Sequence, residues 1–245
     1  MHRFFVDAKS ILQNYVILAD ENAAHAAVLR LNIGEKIVIS DGGGWDYFCT
    51  VSTIEKHSIS CEISHSEKNL AEPAIAVTLF QALPKGDKLS EIVEKCVELG
   101  ISQIIPTKTA RCIAKISQKD VNKTVRLRKI AESAAKQCGR GKIPIINETI
   151  GLDTAINLAK HHGIVFVCYE NESSLMLPHF LKSKKGMINS IAFFVGPEGG
   201  FAPEEIIKFA ENGVSSVSLG SRILRTQTAG SAVLANILYE FEVRR

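Results

Sequence analysis

Two short stretches near the carboxyl terminus hold residue types suited to chemistry. In IAFFVGPEGGF (191–201) an apolar, β-prone run stops at Gly196 and Pro197. Glu198, Gly199 and Gly200 follow, and a helix-like segment, APEEIIKFAENG, comes next. Strand, glycine loop, helix is the layout that cradles phosphate, yet a carboxylate sits in the middle of this one. In VSSVSLGSRILRTQTAGSAVLANILYEF (214–241) a strand leads to Leu219–Gly220, a loop with Arg222 and Arg225, and a helix. Thr226 or Thr228 is placed to cap that helix. Loops at the carboxyl ends of parallel strands converge on one crevice, which would set Arg225 beside Glu198.

A nucleotide phosphate fits the first loop poorly. A Walker A loop needs Gly five residues before a Gly-Lys pair; the nearby pair is Gly141–Lys142, and position 136 is Lys. No GxGxxG follows a strand-like run. A phosphate at 196–200 would face Glu198 with no lysine to offset it, and like charges at contact in a desolvated site cost roughly several kcal/mol. The loop is therefore expected to hold a neutral or cationic ligand. S-Adenosylmethionine has that character: no phosphate, a sulfonium and an ammonium, with glycines letting the backbone approach closely. The alternative is a structural turn in which Glu198 is an acid favoured by the dipole of the next helix.

These loops need a scaffold, and the 245 residues suggest one large domain or two modest ones. The first 70 residues read as short strands and turns, with Gly42–Gly44 as a turn inside an alternating run and one short helix over Asn22–Leu31. A small β-barrel-like module over 1–70 is expected, with Ser64–Ala74 as a linker. From residue 74 the texture changes to alternating strands and helices. Strands are expected at 74–83, 101–107, 163–170, 191–196 and 214–220. An amphipathic helix is expected over 87–100, its apolar face formed by Leu89, Ile92, Val93, Cys96, Val97 and Leu99. Such alternation means a parallel α/β sheet over 74–245.

Composition narrows the class. The six cysteines lie at least 12 residues apart, so no metal-binding CxxC spacing exists and no metal is expected. No apolar run approaches the ~20 residues that span a bilayer, and the opening MHRFFVDAKS has no long apolar stretch. A cytoplasmic, reducing setting with no membrane partner is expected. Net charge is only +3, but residues 108–142 hold 11 basic and 2 acidic residues. That imbalance is too large for i,i+4 ion-pair lacing and points to a polyanion. No Phe, Tyr or Trp lies in the run, so phosphate contact rather than base stacking is its expected work. Residues 1–69 carry a net of −3, so any RNA contact there is confined to a small basic face.

Five stretches, in order HRFFV, LPKGDKLSEIVEKCVELG, AAKQCGRGKIP, FFVGPEGGF and SLGSRILRTQTA, together resemble the RsmE family of the SPOUT superfamily over nearly the whole chain. The resemblance implies a PUA-like RNA-binding barrel followed by an α/β SPOUT domain with a deep carboxyl-terminal trefoil knot. It implies an S-adenosylmethionine-dependent methyltransferase acting on N3 of a uridine in 16S rRNA of the small ribosomal subunit, working as a homodimer. Motif by motif, it places Gly196, Glu198, Gly199, Gly200, Leu219, Gly220, Ile223, Leu224 and Thr226 at the cofactor. Arg225 and Glu198 are the catalytic candidates: Arg225 to stabilise the developing uracil anion, Glu198 to accept the proton or orient groups. Arg3, Gln137 and Arg140 lie in motifs that look RNA-facing, and Lys108, Arg111, Arg126 and Lys129 of the basic run join them. Many members read Arg-Thr-Glu-Thr where this chain has Arg225, Thr226, Gln227 and Thr228. Three alternatives stand: a SPOUT enzyme acting on a ribose 2′-hydroxyl or on tRNA, a non-catalytic ribosome-binding module, and a small-molecule α/β enzyme disfavoured by the basic run.

Overall fold

The computed structural model describes residues 1–112, 119–184, 186 and 188–242, with only the backbone for 119–121. The part of the basic run at 113–118 lies outside the described residues. The chain divides into two compact units: residues 1–72 with 132–143, and residues 73–131 with 144–245. The return of 132–143 to the first unit has no counterpart in the sequence pattern. No helix among the described residues is long and apolar enough to cross a membrane.

In the first unit, β1 (His2–Phe5), β2 (Tyr15–Ala19), α1 (Asp20–Val28), β3 (Lys36–Ser40), β4 (Trp45–Ile54) and β5 (Ser58–Lys68) build one sheet and one helix. The sheet order is β1-β3-β4-β5-β2, antiparallel except for the β1–β3 pair. β-Bulges at Phe48/Cys49 and Val51/Thr53 interrupt the β4–β5 ladder, and bulges bend and twist a sheet. Phe4, Val16, Leu18, Ile37, Ile39, Cys49, Val51, Ile59 and Cys61 form its core. The expected linker is partly strand. β5 continues to Lys68 because its backbone keeps pairing with β4, even though its last five side chains are exposed and show no apolar alternation.

The second unit runs β6 (Ala76–Ala82), α2 (Lys88–Glu98), β7 (Gln103–Lys108), α3 (Lys119–Cys138), β8 (Ile145–Ile146), β9 (Ile150–Gly151), α4 (Leu152–Ala159), β10 (Ile164–Cys168), α5 (Leu177–Ser183), β11 (Ser190–Val195), α6 (Pro203–Glu211), β12 (Ser215–Val217) and α7 (Thr226–Phe241). The carboxyl part of α3 counts with the first unit. Every strand pair is parallel, in the order β12-β10-β11-β6-β7-β8, with β9 also on β7. β6 and β11 are near-continuous apolar runs because both faces of a parallel sheet are covered. α2 buries Leu89, Ile92, Val93, Cys96 and Val97 as its period requires; Leu99, at the C-cap, is exposed instead. Phe80, Phe194, Phe209 and Phe201 pack ring on ring beside the carboxyl end of β11, next to the start of the glycine loop.

Candidate functional site

β11, β10 and β12 are neighbours, and the segments after their carboxyl ends wall a single cleft of about 920 Å³. Gly196, Glu198, Gly199 and Gly200 line it from the loop after β11. Leu219, Gly220, Ile223, Leu224, Arg225 and Thr226 line it from the loop before α7. The two loops do converge on one crevice. The reason is topological: neighbouring parallel strands release their carboxyl-end loops on the same edge. A third wall comes from Tyr169, Glu170, Glu172, Ser173 and Met176 after β10.

Two glycines are dictated by this geometry. Gly200 has φ +66, and a Cβ there would run into the Glu170 carboxylate. Gly220 has φ +108, a backbone state that L side chains rarely adopt. Thr226 ties the two loops together: its Oγ1 donates to the Gly196 carbonyl at 2.8 Å and accepts from Gln81 Nε2 at 2.9 Å. That use of the hydroxyl takes Thr226 away from capping, and Thr228 lies inside α7, so neither caps it. Arg225 is the N-cap, with no side-chain cap bond.

Glu198 is not alone in the loop. Lys88 Nζ lies 2.6 Å from its Oε1, and the Lys85 amide donates to both carboxylate oxygens at 3.1 and 3.3 Å. Burial pushes the Glu198 carboxyl up, but the Lys88 ammonium, its own amide and the Lys85 amide outweigh this and hold it below the usual carboxylate range. The supposed lack of a lysine to offset Glu198 is therefore corrected: the partner arrives from α2, 110 residues earlier. A carboxylate held ionised by an ammonium is a weak proton acceptor, so its geometry is that of a clamp between α2 and the glycine loop.

Arg225 is exposed in the cleft wall and, among the described residues, forms no ion pair; Glu198 is taken by Lys88. Gln227 donates to Glu91 Oε2 at 3.5 Å, while its Oε1 is buried without a partner. A glutamate here would set a second carboxylate against Glu91, so the amide suits its neighbour. Lys88, Glu170 and Gln81 were missed by the motif reading. Glu170 follows a buried strand at its carboxyl end, which is a usable signal. Lys88 lies in one of the five family-like stretches without its role being legible there, and Gln81 in a strand-like run, because both act through partners more than 100 residues away. Among the described residues, no three His, Cys, Asp or Glu side chains converge to hold a metal ion.

The residues expected to face RNA divide into two groups. Lys108, Arg111, Arg126, Lys129 and Gln137 are exposed. Arg126 has loose partners on the surface, Ser90 at 2.9 Å and Asp87 at 3.3 Å. Arg111 donates to the Gly199 carbonyl at 2.7 Å. Arg3 and Arg140 are instead consumed inside the first unit. Arg3 forks onto Asp46 at 2.6 and 3.0 Å with its side chain 13% exposed. Asp46 also accepts from Ser40 and Asn69. The Arg140 side chain, 4% exposed, forks onto Glu72, which also takes the amides of Gly141 and Lys142. Neither guanidinium is available as a surface contact, because buried charges demand paired acceptors.

An RNA methyltransferase domain family model matches residues 71–238, and an RNA methyltransferase PUA domain model matches residues 18–64. The chain is 29% identical to ribosomal RNA small subunit methyltransferase E of Bacillus subtilis, over 100% of this chain and 99% of that one. It is 32% identical to the protein of the same name from Synechocystis, over 96% and 77%. A crystal structure of the Neisseria gonorrhoeae ribosomal RNA small subunit methyltransferase E bound to S-adenosyl methionine superposes with a TM-score of 0.86 at 31% identity, covering 98% of this chain and 97% of that one. Shared sequence across both units and a shared fold around the cleft agree, and the chain belongs to the ribosomal RNA small subunit methyltransferase E family.

Proposed function

We propose that the chain transfers the methyl group of S-adenosylmethionine to N3 of a uridine in 16S rRNA of the small ribosomal subunit. The cleft after β10, β11 and β12 carries this reading, since two glycine-bearing loops meet there beside an arginine that has no ion-pair partner among the described residues. Its volume of about 920 Å³ lies within the range of roughly 300–1,000 Å³ for small-molecule clefts. Ile223 lines it while 85% exposed, an apolar surface suited to a flat heterocycle. The backbone of Gly196, Gly199, Gly200, Leu219, Gly220 and Leu224 would hold the cofactor, and the Glu170 carboxylate beside Gly200 suits its positive charge. When bound, S-adenosylmethionine supplies an electrophilic methyl on a sulfonium.

The rest falls to the chain's own side chains. The uracil must leave its stack to present N3, and negative charge grows on its oxygens as the N3 proton departs. Arg225 offers a planar cation to that charge. Glu198, already ionised and clamped to Lys88 and Lys85, positions the loop, and the N3 proton passes to solvent water at the mouth of the cleft; alignment supplies roughly 7–11 kcal/mol in favourable cases. Lys108, Arg111, Arg126 and Lys129 are assigned to RNA phosphates and Gln137 to a neutral RNA contact.

Three finer features belong to the same proposal. A trefoil knot formed by the carboxyl-terminal segment is carried by the family resemblance, and the strand order, in which the chain leaves β11, passes β10 and adds β12 at the edge, is compatible with it. A homodimer is supported by α7, which buries Val233, Leu234 and Ile237 yet leaves Thr228, Ala235 and Tyr239 exposed at helical spacing. A cytoplasmic setting suits six free thiols. Methylation of small-subunit particles with labelled cofactor, followed by nucleoside mapping, tests the reaction: label in 3-methyluridine is expected, and label in a 2′-O-methyl nucleoside or in tRNA alone would overturn it.

A further inference from the structure

Arg111 stands in the turn after β7, and that turn is pinned. The Cys112 amide donates to the Thr109 carbonyl at 3.1 Å, and the Ala110 amide to Glu205 Oε1 at 2.8 Å. The other Glu205 oxygen accepts the Ala202 amide at 2.9 Å at the start of α6. From this fixed base the Arg111 guanidinium reaches the Gly199 carbonyl. Its aliphatic stem covers Gly199, with Cβ and Cδ each 3.6 Å from where a Gly199 Cβ would stand. One exposed cation of the basic run therefore holds the wall of the cleft.

A guanidinium carries five N–H donors in a planar fork, and the Gly199 carbonyl engages one nitrogen, Nη1. The remaining donors belong to an exposed side chain. Charged acceptors bind such donors about twice as strongly as neutral ones. We propose that Arg111 is a positioning residue that links the two ligands: it holds Gly199 with one arm and a phosphate of the RNA substrate with the others. RNA then stiffens the loop that the cofactor needs, and the two bind with positive cooperativity. By reciprocity the cofactor raises RNA affinity by the same factor. This rests on the reading of the cleft as a cofactor site and of the basic run as an RNA contact.

The test is calorimetric titration with S-adenosylhomocysteine, which permits no turnover, in the presence and absence of saturating unmodified small-subunit RNA. The full chain should bind it at least about 5-fold more tightly with RNA, the lower end of ordinary coupling. Arg111→Lys keeps the charge but loses the fork, and its coupling should fall to within about 2-fold of none. Its RNA binding should keep a salt dependence close to that of the parent chain. Far-ultraviolet circular dichroism and the melting midpoint establish that the variant is folded, and titrating RNA against a fixed cofactor product must return the same factor. Coupling that persists in Arg111→Lys, or that is zero or negative in the parent chain, overturns the proposal while leaving the proposed function intact. A parent chain that binds no S-adenosylhomocysteine overturns both.

Discussion

Arg225 begins α7 through its backbone, its carbonyl accepting the amides of Thr228 and Ala229 at 2.8 and 2.9 Å, while its side chain lines the cleft. These two duties separate experimentally. Arg225→Ala should lower kcat by about 10²–10³, the scale for losing one donor to a developing anion. It should leave cofactor affinity nearly intact, since a sulfonium gains nothing from a nearby cation. Arg225→Lys should recover little, because a point charge does not replace a planar fork. Single-turnover methyl transfer beside a cofactor titration distinguishes the roles; joint loss of rate and binding would make Arg225 a pocket-building residue. Arg3 is different in kind. Burial pushes the Asp46 carboxyl up, but hydrogen bonds from Arg3, Ser40 and Asn69 bring it below its ordinary value. A lowered folded-state pKa means that the stabilisation is present above the unfolded carboxyl pKa. It is lost as pH falls through the lower folded value. Asp46→Asn should therefore cost about 3–5 kcal/mol at neutral pH, the scale for breaking a buried pair. Its stability should also depend less on pH in the acid range, as read from urea unfolding at a series of pH values.

At the scale of elements, α3 decides whether the basic run serves RNA. Arg126 and Lys129 are one turn apart on exposed positions of this helix, whereas Leu127, Ala131, Ala134 and Ala135 are buried. If roughly 6–10 phosphates are neutralised, raising salt from about 50 to 200 mM should weaken RNA binding by about 10³–10⁵. Replacing Arg126 and Lys129 with Ala should flatten that dependence; an unchanged slope in a filter-binding series would make this face merely solvated. α2 acts at the same scale. Its buried apolar face and its packing beside α7 fix it in place, and so deliver Lys88 to Glu198 without any pattern in the residues between them.

For the whole molecule, light scattering at micromolar concentration should give twice the chain mass, and a stable monomer would remove the assembly proposal. What the sequence alone determined was everything carried by local chemistry. Alternation and 3.6-residue periods marked β6, α2, β7, β10, β11 and α7, because each must bury one face or two. Glycines marked the two loops, because Gly220 and Gly200 sit at φ values that few other residues accept. The parallel α/β class followed from the order of elements, and the two loops were legible as one crevice because strand ends share an edge. Tertiary structure alone decided who neutralises whom. Glu198 meets Lys88, Arg3 meets Asp46, Arg140 meets Glu72, and Arg111 meets Gly199. These partners are separated by 43 to 110 residues, and sequence spacing carries no information about charges that only folding brings within hydrogen-bond reach. That is why the positions of the glycine loops could be read from the chain, while the occupation of its acids and arginines could not.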